Sequence, residues 1–205
     1  AITIENKDKV EIYYDGSLKI KYNIDISGVS DVVTLDEDNI VLIGMPGCGK
    51  STVGVVLAKS LGYRFMDVDL VIQETEGRLL SEILDEEGFD GFLEVEEKAC
   101  LGINTEKTVI ATGGSAIYGE KGMTHLKEIG TVVYIRLGYD EIEHRLGDLH
   151  KRGVAMKNGM SLRDLYEERV PLYDRYADII CDGEGKLLRE IVTEMVTSIR
   201  KIMVK

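Results

Sequence analysis

Cysteine is scarce in this 205-residue chain, with three residues at Cys48, Cys100 and Cys181. Odd in number and without a CxxC or Cys/His cluster, they indicate neither a disulfide framework nor a zinc site. Long apolar runs are also missing. Stretches such as Ile40-Val41-Leu42-Ile43 fall far short of a bilayer span, and no charged-then-apolar leader is expected at the start. Positive charge is in deficit: 25 Lys+Arg against 37 Asp+Glu give a net charge of −12 and a pI near 4.8. That field repels phosphate backbones and anionic lipid, which argues against nucleic acid or a membrane surface as a partner. Apolar residues make up 44% and charged residues 30%, the balance of a soluble globular chain able to bury a real core. Taken together, the composition predicts a reduced, cytoplasmic, acidic protein.

Proline is rare as well, two residues against 22 glycines, so the glycines punctuate the chain. Residues 10–22 alternate apolar and polar about Asp15-Gly16, which predicts a β-hairpin with a two-residue turn. A polar stretch follows to Asp38. From Asn39 onward, short apolar segments (40–43, 109–111, 132–135, and one ending at Asp67) alternate with helical periodicity. Helices are expected near 51–61, 70–75, 79–87, 93–101, 141–149, 162–168 and 187–203. Apolar, non-alternating strands between helices predict an α/β domain with a parallel sheet covered on both faces. The expected division is an N-terminal extension with a hairpin over 1–37 and an α/β domain over 38–205.

Residues 44–51 read Gly-Met-Pro-Gly-Cys-Gly-Lys-Ser and fit GxxxxGK[ST] without a mismatch. Such a loop turns its backbone N–H groups onto phosphate oxygens and adds the positive end of the following helix. Lys50 supplies a mobile cation for the β- and γ-phosphates, and Ser51 a hydroxyl able to ligate Mg²⁺. Gly47, Cys48, Gly49, Lys50, Ser51 and Thr52 are the expected nucleotide-binding residues. Cys48 serves there as a small residue whose backbone matters.

Downstream, Phe65-Met66-Asp67-Val68-Asp69 is followed by Gly88, Phe92 and Glu96. Then come Thr112-Gly113-Gly114, and Arg169-Val170-Pro171-Leu172-Tyr173 with Ala177-Asp178. In this order and spacing, behind a phosphate loop, residues 38–203 resemble the shikimate kinase family. The resemblance implies a P-loop three-layer α/β/α fold with a five-stranded parallel sheet, a small acceptor-binding helical region and a mobile lid. It implies ATP as co-substrate, Mg²⁺ as cofactor and a small hydroxylated acid as acceptor. Oligomeric state is expected to be a monomer or a weak homodimer.

The same resemblance assigns roles. Asp67, with Ser51, matches the metal-supporting residues. Asp69 matches the group that holds the acceptor hydroxyls and takes the proton, and is catalytic together with Lys50 and Arg152. Gly113 and Gly114 match the backbone that approaches the acceptor, and Arg169 the guanidinium that grips its carboxylate. Arg145 and Arg152 match the adenine-side and lid arginines, and Lys186 an adenine-side cation.

Two departures fall at the acceptor side. The family pattern GExxFRxxE corresponds to residues 88–96, where Phe89 replaces the acidic residue and Leu93 the arginine. The lid reads Arg-Gly-Val-Ala-Met over 152–156, and Ser115 replaces a third glycine. Losing one charge-assisted hydrogen bond to a carboxylate costs ~1.5–3 kcal/mol, about 10–150-fold in affinity. The leading expectation is ATP-dependent phosphorylation of shikimate. A kinase for another hydroxy acid or hydroxy-amino acid and a non-catalytic nucleotide-binding module remain as alternatives.

Overall fold

The computed structural model describes residues 9–14, 18–23, 39–146, 154–157 and 159–203. The chain divides into two compact units, Ala1–Thr34 and Leu35–Lys205. In the first, strands β1 (Lys9–Tyr14) and β2 (Leu18–Asn23) pair antiparallel, with Ile12 opposite Ile20 and Tyr14 opposite Leu18. The hairpin expected from the sequence is present, but three residues separate its strands rather than two. The reason lies in the register. The observed pairing sets Val10, Ile12 and Tyr14 opposite Tyr22, Ile20 and Leu18, whereas a two-residue connection would set them opposite Lys21, Lys19 and Ser17.

The second unit begins with β3 (Asn39–Ile43), α1 (Lys50–Leu61), β4 (Arg64–Asp67), α2 (Val68–Glu76) and α3 (Leu80–Leu101). It continues through β5 (Thr108–Ala111), a 3₁₀ turn (Ala116–Tyr118), α4 (Glu120–Ile129), β6 (Gly130–Arg136) and α5 (Tyr139–Leu146). It ends with α6 (Leu162–Tyr176), β7 (Ile179–Asp182) and α7 (Leu188–Met203). The five strands form one parallel sheet in the order β4-β5-β3-β6-β7. The central strands β3 and β5 are buried along their whole length, as is the middle of β6, which explains their unbroken Val/Ile/Leu composition. The edge strand β7 alternates buried and exposed instead. Helices α1 and α7 pack together on the sheet, while α4 and α6 cover it with α3 beside α4. The α/β/α expectation is met.

Three local features differ from the expectation. Helix α4 and strand β7 are not among the elements expected from the sequence, although α4 buries Met123 and Leu126 on one face and β7 alternates buried and exposed. The segments 79–87 and 93–101 join into one α3, bent at Gly88, whose φ of 71° and ψ of −175° interrupt the helix. Helix α6 does not stop at residue 168 but runs through Pro171 to Tyr176. A proline inside a helix removes one backbone hydrogen bond. Here the stripe Leu165, Arg169, Tyr173 and Tyr176 is buried along a single face, and that packing holds the helix together across the break.

Candidate active site

Parallel topology brings the carboxyl ends of β3, β4 and β5 to one edge of the sheet, where open α/β folds place their ligands. A cavity of about 330 Å³ opens at this edge. The phosphate loop leaves β3 there, Asp67 ends β4, and Thr112-Gly113-Gly114 follows β5.

The loop is tightly organised. Gly49 precedes α1 with a φ of 99°, a left-handed conformation that suits glycine, and the Cys48 amide donates to the Met45 carbonyl at 3.1 Å. Lys50 is buried, and its Nζ donates to the Gly44 and Met45 carbonyls at 2.8 and 3.1 Å, with the Cys48 sulfur at 3.9 Å. The ammonium is thus held by the same loop whose phosphates it would meet. Gly47, Gly49, Lys50, Ser51 and Thr52 all line the cavity, with Ser51 and Thr52 exposed in the first turn of α1. Cys48 is buried beneath the loop.

Asp67 caps α2, its Oδ1 accepting from the Asp69 amide at 3.1 Å. Asp69, in the first turn of α2, lines the cavity. Its carboxyl titrates above the usual carboxylate range because burial disfavours the charge. Lys50 counters this, and Asp67 adds to it. Gly113 lies against this carboxyl. A Cβ there would fall 3.0 Å from Asp69 Oδ1 and collide with Glu96 Oε1, so only glycine lets the backbone pass. The neighbouring Gly114 is fixed by Tyr173, whose hydroxyl donates to its carbonyl at 2.6 Å.

Arg169 is completely buried, yet it lines the cavity. One end donates to the Ala155 carbonyl, and Nε donates to the Tyr118 hydroxyl at 3.3 Å, with the guanidinium 5.2 Å from that ring. Tyr118 donates its own proton to Glu168 at 2.5 Å. Among the described residues the Arg169 NH1 group has no hydrogen-bond partner, and a Cβ on Gly114 would stand 3.1 Å from it.

The remaining expected residues are dispersed. Arg145 on α5 leans on the phosphate loop, donating to Glu141 at 2.6 Å and to the Cys48 carbonyl at 3.5 Å. Lys186 pairs with Glu194 on α7 at 2.6 Å and does not line the cavity. Arg152 lies outside the described residues.

One cavity residue has no role assigned from the sequence. Glu96 is 1% exposed, and neither of its oxygens meets a donor in hydrogen-bonding geometry among the described residues. Burial pushes its carboxyl up to about 7. The Ser115 hydroxyl works against the rise, Asp69 adds to it, and Arg169 and Lys50 lower it. A signal exists in the sequence, because Phe92, Glu96 and Cys100 recur every fourth residue on the buried face of α3. Leu93 is half-buried and is not among the cavity-lining residues.

Comparison with known proteins matches a family model described as shikimate kinase to residues 46–200. A shikimate kinase of Persephonella marina is 34% identical over 163 residues, covering 79% of this chain and 99% of that protein. One from Thermodesulfovibrio yellowstonii is 34% identical over 167 residues, covering 80% and 96%. Among solved structures, a shikimate kinase from Acinetobacter baumannii in complex with shikimate superposes with a TM-score of 0.76 at 30% identity, covering 83% of this chain and 97% of that one. The Aquifex aeolicus shikimate kinase gives 0.68 at 32% identity, covering 79% and 96%.

Proposed function

The chain belongs to the shikimate kinase family, and we propose that it transfers the γ-phosphoryl group of ATP to shikimate, forming ADP and shikimate 3-phosphate. One observation carries the reading. A single cavity joins the phosphate-loop lysine to a buried arginine with an unpartnered N–H and to a carboxyl of raised pKa.

The roles follow from these groups. Lys50 exchanges its loop carbonyls for phosphate oxygens and stabilises the charge that develops on the phosphoryl group in transit. Asp69 receives the proton of the attacking hydroxyl. Desolvation makes its carboxylate a stronger base than one in water. Arg169 holds the acceptor carboxylate through NH1, a charge-assisted contact well suited to a planar guanidinium. Gly113 and Gly114 let the acceptor lie against backbone. Arg145 flanks the nucleotide, Arg152 supplies the lid guanidinium, and Lys186 remains a candidate on the adenine side.

The donor set suits Mg²⁺. Ser51 offers a hydroxyl at the cavity wall, and Asp67 spends one carboxylate oxygen on its cap, which leaves the other for the ion or its water. Hard oxygen donors in this small number fit an ion that keeps most of its hydration. When bound, Mg²⁺ would neutralise phosphate charge.

Leu93 and Phe89 stand where the family carries an arginine and an acid, so Arg169 carries the acceptor carboxylate with less help. A high KM for shikimate is expected. The test is an ADP-release assay over shikimate, other hydroxy acids, hydroxy-amino acids and sugar acids, with Lys50→Ala as the control. Turnover with shikimate above the rest, abolished in the variant, supports the reading. A higher kcat/KM for another acceptor, or full activity without Lys50, overturns it.

A further inference from the structure

Arg169 reaches the cavity with two of its guanidinium nitrogens already engaged. One terminal nitrogen donates to the Ala155 carbonyl and Nε to the Tyr118 hydroxyl at 3.3 Å, which leaves NH1 beside Gly114. A single anchor would let the group swing about that one bond, whereas two anchors on different nitrogens fix its plane. The Tyr118 anchor is itself firmly placed. It ends the 3₁₀ turn that follows Gly114 and Ser115, where the Tyr118 amide donates to the Ser115 carbonyl at 2.9 Å and Ala116 and Ile117 are buried. The Phe89 ring meets the tyrosine edge-on, with centroids 5.8 Å apart. Phe89 stands where the family pattern has an acid, so this brace belongs to the departure noted in the sequence. Tyr118 does not line the cavity and acts only through Arg169.

We infer that Tyr118 is a positioning residue for the acceptor: its hydroxyl, oriented by Glu168, holds the Arg169 guanidinium so that NH1 faces the acceptor carboxylate. The inference rests on the proposed phosphorylation of shikimate with Arg169 as the carboxylate holder. The direction of the hydrogen bonds supports it. A guanidinium Nε can only donate, so the phenol oxygen must offer it a lone pair and send its own proton elsewhere. Glu168 takes that proton at 2.5 Å, and the other oxygen of Glu168 lies 3.7 Å from Lys157 Nζ. Burial and the bond to Glu168 hold the phenol above the ordinary tyrosine range, with Arg169 working against the rise, so the hydroxyl keeps its proton and this polarity. Leu93 leaves Arg169 to carry the carboxylate with less help. Its aim therefore weighs more, because a guanidinium free to rotate loses that freedom each time an acceptor binds.

The test is Tyr118→Phe, which keeps the ring and its contact with Phe89 and removes only the hydroxyl. The KM for shikimate should rise about three- to tenfold, the scale of one hydrogen bond, with kcat and the KM for ATP within about twofold. Glu168→Ala should raise the shikimate KM in the same direction, and Glu168→Gln, which still accepts the phenol proton, should recover part of the loss. Shikimate methyl ester, whose carboxylate charge is gone, serves as the control. As a competitor of shikimate it should bind the unmodified protein and Tyr118→Phe equally weakly, the mark of a contact made through the carboxylate. An unchanged shikimate KM in Tyr118→Phe overturns the inference. So does a parallel rise in the KM for ATP with a fall in Tm, or an ester that separates the two proteins as strongly as shikimate does, since either makes the hydroxyl structural only. If the unmodified protein does not phosphorylate shikimate, the functional reading fails instead, and that single measurement tells the two failures apart.

Discussion

Replacing Glu96 by glutamine should change how stability depends on pH, and the size of the change follows from the burial of this one side chain. In the folded protein the Glu96 carboxyl holds its proton up to about 7, against an ordinary value of 4.5. Below pH 4.5 it is protonated folded or unfolded and contributes no pH dependence. Between 4.5 and about 7 the folded state binds the extra proton, so stability falls as pH rises, and above 7 the loss is complete. A displacement of this size amounts to about 3 kcal/mol. Glutamine does not titrate, and any cost of burying its amide is the same at every pH. The stability of Glu96→Gln relative to the unmodified protein should therefore rise by about 3 kcal/mol from pH 4.5 to pH 8. For a domain of this size that corresponds to about 6–12 °C in Tm. Asp69, also raised, acts in the same direction in both proteins and largely cancels in the difference. Urea and thermal unfolding at half-unit intervals would measure it. Parallel pH curves for the two proteins would refute the reasoning, since they would mean that Glu96 is paired or hydrated in solution.

Other outcomes follow from the same geometry. Gly113→Ala places a methyl against Glu96 and Asp69. It should lower kcat/KM for the acceptor tenfold or more while leaving ATP affinity within about twofold, at a stability cost of roughly 1–3 kcal/mol. Asp69→Asn should reduce turnover by about 10²–10⁴ with little change in nucleotide binding, as loss of a general base requires; an effect on ATP affinity alone would contradict that role. Leu93→Arg puts a cation three residues before Glu96 on the same helix, within reach of it. The shikimate KM should then fall by roughly tenfold, and the pH slope assigned to Glu96 should flatten; an unchanged KM and slope would remove position 93 from the acceptor site.

Much of the site is legible in the sequence because its chemistry is local. The phosphate loop is one contiguous segment whose glycines, lysine and serine carry their roles wherever the chain places them, and the apolar segments at 40–43, 109–111 and 132–135, set between helical patterns, read as buried strands. Arg169 and Tyr173 lie beyond the helix expected over 162–168, and their shared buried face on α6 comes from the fold. What spacing cannot convey is which groups meet across the fold. Parallel register together with the packing of α2, α3 and α6 at one edge of the sheet brings Asp69, Glu96 and Arg169 around Gly113 and Gly114, from segments up to a hundred residues apart. In the sequence Glu96 is one of 37 acidic residues, and only burial on α3 makes it an unpaired acid with a shifted titration. Helix α6 runs past Pro171 for the same reason: the local cost of a proline is visible in the sequence, but the packing of Tyr173 and Tyr176 that outweighs it is a tertiary energy. Local free energies of backbone and motif are written in neighbouring residues, whereas desolvation and long-range pairing depend on distances that only the folded chain sets.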